Sequence, residues 1–339
     1  MCGSILKRVS DMKKGRNDTL DLLKLFASFA VVFIHVFFYG KISIVTDSLA
    51  RFAVPLFFAA TGFYSYGITP DKIKKRAAYL MRLLAFAVVL CVSSDVLLFF
   101  VYNDTPGIVY YFNQFLDLKN ILNILVYNTP IHAVHLWYLL AVLYVYVIFY
   151  FVKRYNVKDN IIFAIGIILL IVHLILAEGF SAFGIIIPTE YIRNFLFMGF
   201  PFFTLGLMAN KYADKLEKLN GAFIFVFGIF GALTTLLSRK FFGKNELYFG
   251  SILIVFALFL IFIKYSHIRY NKVIVAIASC STFVYILHTI VSDYLYVAYW
   301  KLGIEYSVAL ELAHPFLVCL FSTILALGVK NIDRFLRAK

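Results

Sequence analysis

Apolar runs of about 18 residues or more recur along nearly the whole of this 339-residue chain. Few folds accommodate that pattern. An α-helix rises about 1.5 Å per residue, so about 20 apolar residues cross a hydrocarbon layer about 30 Å thick with every backbone group bonded inside the segment. The composition agrees, with 63% hydrophobic and 15% charged residues. A soluble domain has no use for that excess. The expected fold is therefore all-α: a polytopic helical membrane protein of about ten transmembrane helices.

The spans are placed at 20–39, 49–67, 78–101, 134–152, 160–177, 194–210, 220–238, 247–263, 273–297 and 309–328. A cytoplasmic basic segment (1–19) precedes one membrane domain (20–329), and a cytoplasmic basic tail (330–339) follows it. The first span is read as a permanent helix rather than a cleaved leader, since no small-x-small site follows it. The stretch 102–133 is too interrupted for a span. Its Tyr110, Tyr111 and Phe112 suit the membrane surface, with a re-entrant or extra span as the alternative.

The net charge of +14 would suit a nucleic-acid partner, but its distribution follows topology. With ten spans, 22 of the 32 Lys and Arg residues fall on the side of the amino terminus. The opposite side holds Lys41, Lys119, Arg193, Arg239, Lys240, Lys244 and Lys301. By the positive-inside rule both termini are cytoplasmic, and no nucleic acid is expected. The four cysteines, Cys2, Cys91, Cys280 and Cys319, have no metal-ligand spacing and read as packing residues. Phosphate-binding glycine loops, HExxH, GxSxG and CxxC pairs are absent from the sequence.

Chemistry must then come from ionisable residues inside the spans, which are costly there and need compensation. In "LDLLKLFASFAVVFIHVFFYG" (Leu20 to Gly40), Asp21, Lys24 and His35 share one helix face. Asp21 and Lys24 pair at i, i+3, and His35 lies about 16 Å further along the axis. Periodicity alone leaves two readings: a polar stripe leading into the membrane, or a snorkelling pair beneath a core histidine. Arg51 opens the second span ahead of Pro55 and Gly62. "DKIKKR" and "MRLLAF" supply Lys72, Lys74, Lys75, Arg76 and Arg82, with Arg82 inside the next span and in need of a partner. His132 and His135 precede Trp137 at the fourth span. They have no acidic third ligand, so they read as an interfacial or substrate-site element and no metal is expected. The ninth span carries Ser281, Tyr285, His288, Ser292 and Asp293, which raises the expectation of an interior polar cavity. Asp95 and His173 read as structural.

Four stretches in order carry a resemblance to a known family. They are "RNDTLDLLKLFASFAVVFIHV", with ten residues between Lys24 and His35; "RFAVPLFFAATGFY"; "HLWYLLAVLYVY"; and "STFVYILH". Together they resemble the integral-membrane acyltransferases of family 3, the bacterial O-acetyltransferases and their relatives. Two departures are visible. Thr61-Gly62 stands where that family has Ser-Gly, and Tyr79 interrupts the RxxR spacing after Arg76, with Arg82 three residues further on.

The resemblance implies a multi-pass enzyme of the cytoplasmic membrane. It would transfer an acyl group from cytoplasmic acyl-CoA, with acetyl-CoA the expected donor, to a hydroxyl of a cell-envelope or lipid-linked carbohydrate. Acyl-CoA is then a co-substrate, membrane lipids surround the protein, and no bound cofactor is implied. On this reading His35 is the general base and Asp21 fixes Lys24, which orients the donor or tunes His35. Lys75, Arg76 and Arg82 hold the donor phosphates. Arg51 stabilises a developing oxyanion, and Trp137, His135, Tyr285 and His288 line the acceptor side. The competing class is a transporter or flippase that uses His35, Asp21 and Lys24 as a polar relay. The halves 20–152 and 194–328 show no convincing repeat, which disfavours it.

Overall fold

The structure is a computed structural model that describes residues 17–329 and Ile332. The basic segment before residue 17, Cys2 with it, and the basic tail from 330, Ile332 excepted, lie outside the described residues. All regular structure among the described residues is helical.

Helix α1 (Asp18–His35) starts where Asn17 caps it, accepting from Leu20 N at 3.2 Å. Asp18 and Asp21 add negative charge to its first turn, where the helix dipole favours it. The second apolar run, expected as one span from 49, instead begins at Lys41 and folds as two pieces, α2 (Lys41–Ala50) and α3 (Ala53–Phe63). Pro55 explains the interruption. It has no N–H to give the carbonyl of Arg51, four residues back, so Arg51 sits at the joint.

Helix α4 (Pro70–Tyr102) runs 33 residues from a proline at its start to Asn103, whose left-handed φ of 55° ends it. Two short helices follow, α5 (Thr105–Asn113) and α6 (Leu118–Tyr127). At about 15 Å, α6 is half the length a crossing needs. Its exposed Leu118, Leu122 and Leu125 suit the surface element expected for 102–133.

The second half of the chain holds α7 (Trp137–Arg154) and α8 (Asp159–Leu174), the latter continued by a π-helical turn at Ile175–Gly179. Then come α9 (Phe200–Lys211), α10 (Gly221–Phe242) and α11 (Phe249–Tyr265). The last three are α12 (Lys272–Ala278), α13 (Ser281–Lys301) and α14 (Val308–Gly328).

The expected ninth span is broken. α12 and α13 meet at 60° across Ser279–Cys280. At the break Ser279 Oγ donates to Ala276 O at 2.6 Å, a side-chain bond that competes with the helical ladder.

Six segments are long and apolar enough to cross a membrane, and a seventh is added if the bent pair counts as one span. α1 falls outside that group because Asp18, Asp21 and Lys24 crowd its first turns, and α9 and α11 fall short in length. Outward faces confirm the solvent. α10 exposes Phe223, Phe225, Val226, Phe230 and Leu233, a surface suited to lipid and not to water. The protein is a multi-pass membrane protein.

Small residues let the central helices touch. A Cβ on Gly62 would come within 1.9 Å of Phe203 O, and one on Gly206 within 1.9 Å of Ala59 O, so α3 and α9 pack backbone to backbone. Cys91, Cys280 and Cys319 are buried, in keeping with their reading as packing residues.

Candidate active site

The first turns of α1 open onto an interior cavity. Lys24 Nζ lies 2.6 Å from Asp21 Oδ1, the i, i+3 pair expected from the sequence. Both line a cavity of about 630 Å³, together with Arg76, Thr61, Tyr138 and Tyr285. Arg76 is held by its own Nη1–H, which donates to Ser65 Oγ at 3.1 Å. Lys75 and Arg82 are not among the lining residues. Lys75 is exposed and Arg82 is half-buried. Of the three expected donor contacts, then, Arg76 faces the cavity.

The polar stripe of α1 does not run uninterrupted to His35. One turn above Lys24, Ser28 Oγ donates to Ser281 O at 2.8 Å, which seats the start of α13 against α1. Above that contact the cavity ends at a wall of rings. Tyr138 and Tyr285 stand 5.6 Å apart, and Phe57 lies 5.5 Å from Tyr138 and 6.2 Å from Tyr285. The Tyr285 hydroxyl donates to the backbone carbonyl of His135, which fixes that wall to the entry of α7.

His35 lies beyond the wall, the last residue of α1 and exposed. Two more histidines converge on it from separate elements. The His35 and His288 rings are 5.3 Å apart, His35 and His135 6.4 Å, and His135 and His288 5.2 Å. His288 comes from the middle of α13, His135 from the single turn before α7. The expected His132–His135 pair is split, because His132 stacks on Tyr111 at 3.6 Å. Among the described residues no group of three His, Cys, Asp or Glu side chains has the geometry to hold a metal ion.

Beside the histidines lies an ion network that sequence reasoning caught at one point. Arg51 Nη2 is 2.6 Å from Asp47 Oδ1, and its Nη1 is 2.9 Å from Glu246 Oε2. Arg193 Nη1 approaches the same Glu246 oxygen at 3.7 Å, and Lys244 Nζ lies 4.0 Å from Asp47. Burial would raise the Glu246 carboxyl, but the charges of Arg51, Arg193 and Lys244 outweigh it and hold the group below its ordinary value. His35 feels the charges of Arg193 and Arg51 and, against them, Glu246 and Asp47.

Arg51 is thus committed to two carboxylates. Arg193 is freer, its guanidinium 5.5 Å from the ring of Trp137. Trp137 itself is buried beneath Arg193. In the sequence Arg193 is an outer loop charge, with nothing to join it to the site. Asp47 did carry a signal, four residues before Arg51.

The polar residues further along α13 go elsewhere. Ser292 Oγ is 3.2 Å from His314 Nε2, and Tyr299 Oη is 3.1 Å from His314 Nδ1, a bonded set between α13 and α14. Asp95 accepts from Tyr111 Oη at 2.7 Å, which suits the structural role expected of it.

The arrangement has two sides. A cavity with a cationic rim opens below a ring wall, and above the wall an accessible histidine is flanked by two buried ones and by arginine. No curated protein and no solved structure matches the chain significantly. The family model for the acyltransferase domain, family 3, does match, over residues 17–330, and so takes in Asp21, Lys24, Arg76 and all three histidines. The chain belongs to the family 3 acyltransferases.

Proposed function

We propose that this acyltransferase moves an acyl group, acetyl in the simplest case, from acyl-CoA on the cytoplasmic side to a hydroxyl of a cell-envelope or lipid-linked carbohydrate. The observation that carries this reading is the two-sidedness of the site: Lys24 and Arg76 line a cavity on one side of the Tyr138–Tyr285 wall, and His35 is exposed on the other. A donor bearing several phosphates suits the cationic side. A neutral polyol suits the other, where Arg193 and the histidines offer donors and acceptors.

In the proposed reaction one ring nitrogen of His35 takes the proton of the acceptor hydroxyl as its oxygen attacks the thioester carbonyl. The C–O bond forms and the C–S bond breaks. The proton passes from His35 to the departing thiolate, which leaves as the free thiol of coenzyme A. Arg193, less committed than Arg51, is the cation proposed for the oxyanion, a role the family resemblance had implied for Arg51. The thioester reaches the Tyr138–Tyr285 wall from below, so transfer requires those rings to part.

The test is transfer of label from radiolabelled acetyl-CoA to envelope glycan in membranes that contain the protein. Arg76→Ala should raise the KM for acetyl-CoA about 10-fold with kcat little changed, the loss expected for one charge-assisted hydrogen bond. Wild-type membranes that never label a glycan would overturn the proposal. Family membership favours transfer over transport, the competing reading of the same residues.

The same reading places the protein in the cytoplasmic membrane, with ten crossings and both termini inside. α1, α9, α11 and the bent α12–α13 pair would then join the six segments that qualify by length and composition. A cysteine introduced at Lys75 should react with a membrane-impermeant maleimide after permeabilisation and not in intact cells. Reaction in intact cells would invert the topology.

A further inference from the structure

Among the buried nitrogens that lack a hydrogen-bond partner, one belongs to a ring next to His35. His288 is fully buried, and its Nδ1 lies 2.7 Å from the carbonyl oxygen of Tyr285. A carbonyl can only accept, so Nδ1 carries the ring proton and Nε2 carries a lone pair. That Nε2 is buried with no hydrogen-bond partner. An unpaired buried acceptor is expensive and persists where something else uses it.

The rings about His288 are those of Tyr285, His135 and His35. Tyr285 spends its hydroxyl on the His135 carbonyl. His135 Nε2 lies 3.3 Å from Ile286 O and by the same logic carries its proton there, so its other nitrogen is also a lone pair. Two lone pairs cannot bond each other. His35 is the remaining neighbour of these rings, with both ring nitrogens uncommitted among the described hydrogen bonds. His288 is the closer of its two histidine neighbours, 5.3 Å against 6.4 Å between ring centres.

We propose that His288 is the positioning residue of His35: a turn of the exposed His35 ring brings an N–H onto the bare Nε2 of His288, unpaired in this structure, and the bond so formed selects the tautomer whose far nitrogen is free to take the acceptor's proton. The proposal rests on the acyl-transfer reading and deepens it. It also reassigns His288, which the family resemblance had placed among the acceptor contacts. When His35 becomes a cation during attack, the near-side N–H stays in this bond and strengthens it. The far-side proton is the one passed on to the thiolate. His288 gains and loses no proton in the cycle, so the atoms balance as before. The logic is that of a triad's third member, with a neutral imidazole where such triads place a carboxylate.

Two substitutions separate this role from a structural one. In His288→Asn the amide N–H stands near the place of Nδ1 and keeps the Tyr285 carbonyl paired, but the acceptor facing His35 is gone. In His288→Gln the longer side chain sets an amide oxygen near the place of Nε2 and restores an acceptor.

The expected result is a fall in kcat of about 10- to 100-fold for His288→Asn, with the acceptor KM within about twofold of wild type. His288→Gln should recover at least about a third of the wild-type kcat, since it keeps the hydrogen bond that matters. An acceptor KM that rises while kcat holds would overturn the proposal in favour of substrate contact. A His288→Gln variant as slow as His288→Asn would overturn it as well. If His288→Asn does not accumulate in the membrane, His288→Ala takes its place as the variant without an acceptor, with the same fall in kcat expected and normal turnover overturning the proposal. Wild-type membranes with no transfer would sink the acyl-transfer reading itself, whereas normal turnover in both variants, beside an inactive His35→Ala, would sink the role of His288 alone.

Discussion

Replacing His35 by alanine is expected to lower the rate of acyl transfer by about 10²- to 10⁴-fold, the range that a positioned general base contributes. Membrane levels of the protein should not change. His35 is the last residue of α1 and is exposed, so its side chain fills no part of the core. His135 and His288 hold their own orientations through backbone carbonyls, Ile286 O and Tyr285 O, and need nothing from His35 to keep them. What disappears is one base, next to the guanidinium charges of Arg51 and Arg193 that act on it. The measurement is the initial rate of label transfer from acetyl-CoA, normalised to the amount of protein in the membrane. A variant that keeps a tenth or more of wild-type activity would remove His35 from the reaction.

The second large effect concerns stability. Glu246→Ala should cost about 3 kcal/mol, the lower end of the range for breaking a buried ion pair from one side, because Glu246 keeps 17% side-chain exposure. The loss is unequal across the network. Asp47 still pairs with Arg51 at 2.6 Å, but Arg51 loses its second carboxylate while its Nε is already buried with no partner. Arg193 loses the nearest negative charge it has, at 3.7 Å. Thermal unfolding in mild detergent is the readout. Adding Arg51→Ala to Glu246→Ala should recover part of the loss, since a missing pair costs less than a stranded charge. An unchanged melting temperature in Glu246→Ala would show that the network contributes nothing to the fold.

The two halves of this site differ in how legible they were. Asp21, Lys24 and His35 lie on one helix, and a 3.6-residue period is enough to align them. The Asp47–Arg51 pair follows from the same period across the joint before Pro55. Glu246 was not legible, because 195 residues separate it from Arg51 and a loop residue carries no periodicity.

The convergence of His35, His135 and His288 came from family resemblance alone. No local rule brings the end of α1, a single turn before α7 and the middle of α13 to one point; that is a property of packing. The wall between the two sides has the same origin. It is fixed by the Tyr285 hydroxyl on the His135 carbonyl, 150 residues away. The apolar runs located the helices within a few residues. The break at Ser279–Cys280 escaped because hydroxyl-to-backbone competition is weak in sequence and decisive in context.

The length of α1 has a bearing on the lipid that surrounds it. Its 18 residues reach about 27 Å, slightly less than an average hydrocarbon layer of about 30 Å. At 33 residues and about 50 Å, α4 overshoots that layer and can tilt to suit almost any bilayer. α1 has no such slack. In the proposed topology its charged pair sits near the cytoplasmic interface, and His35 lies only about 16 Å further along the axis. Lipids with longer chains would draw His35 below the headgroups while leaving most of the bundle at ease. On the proposed topology and the proposed role of His35, acyl-chain length of the host membrane would act on transfer through hydrophobic mismatch at this one helix.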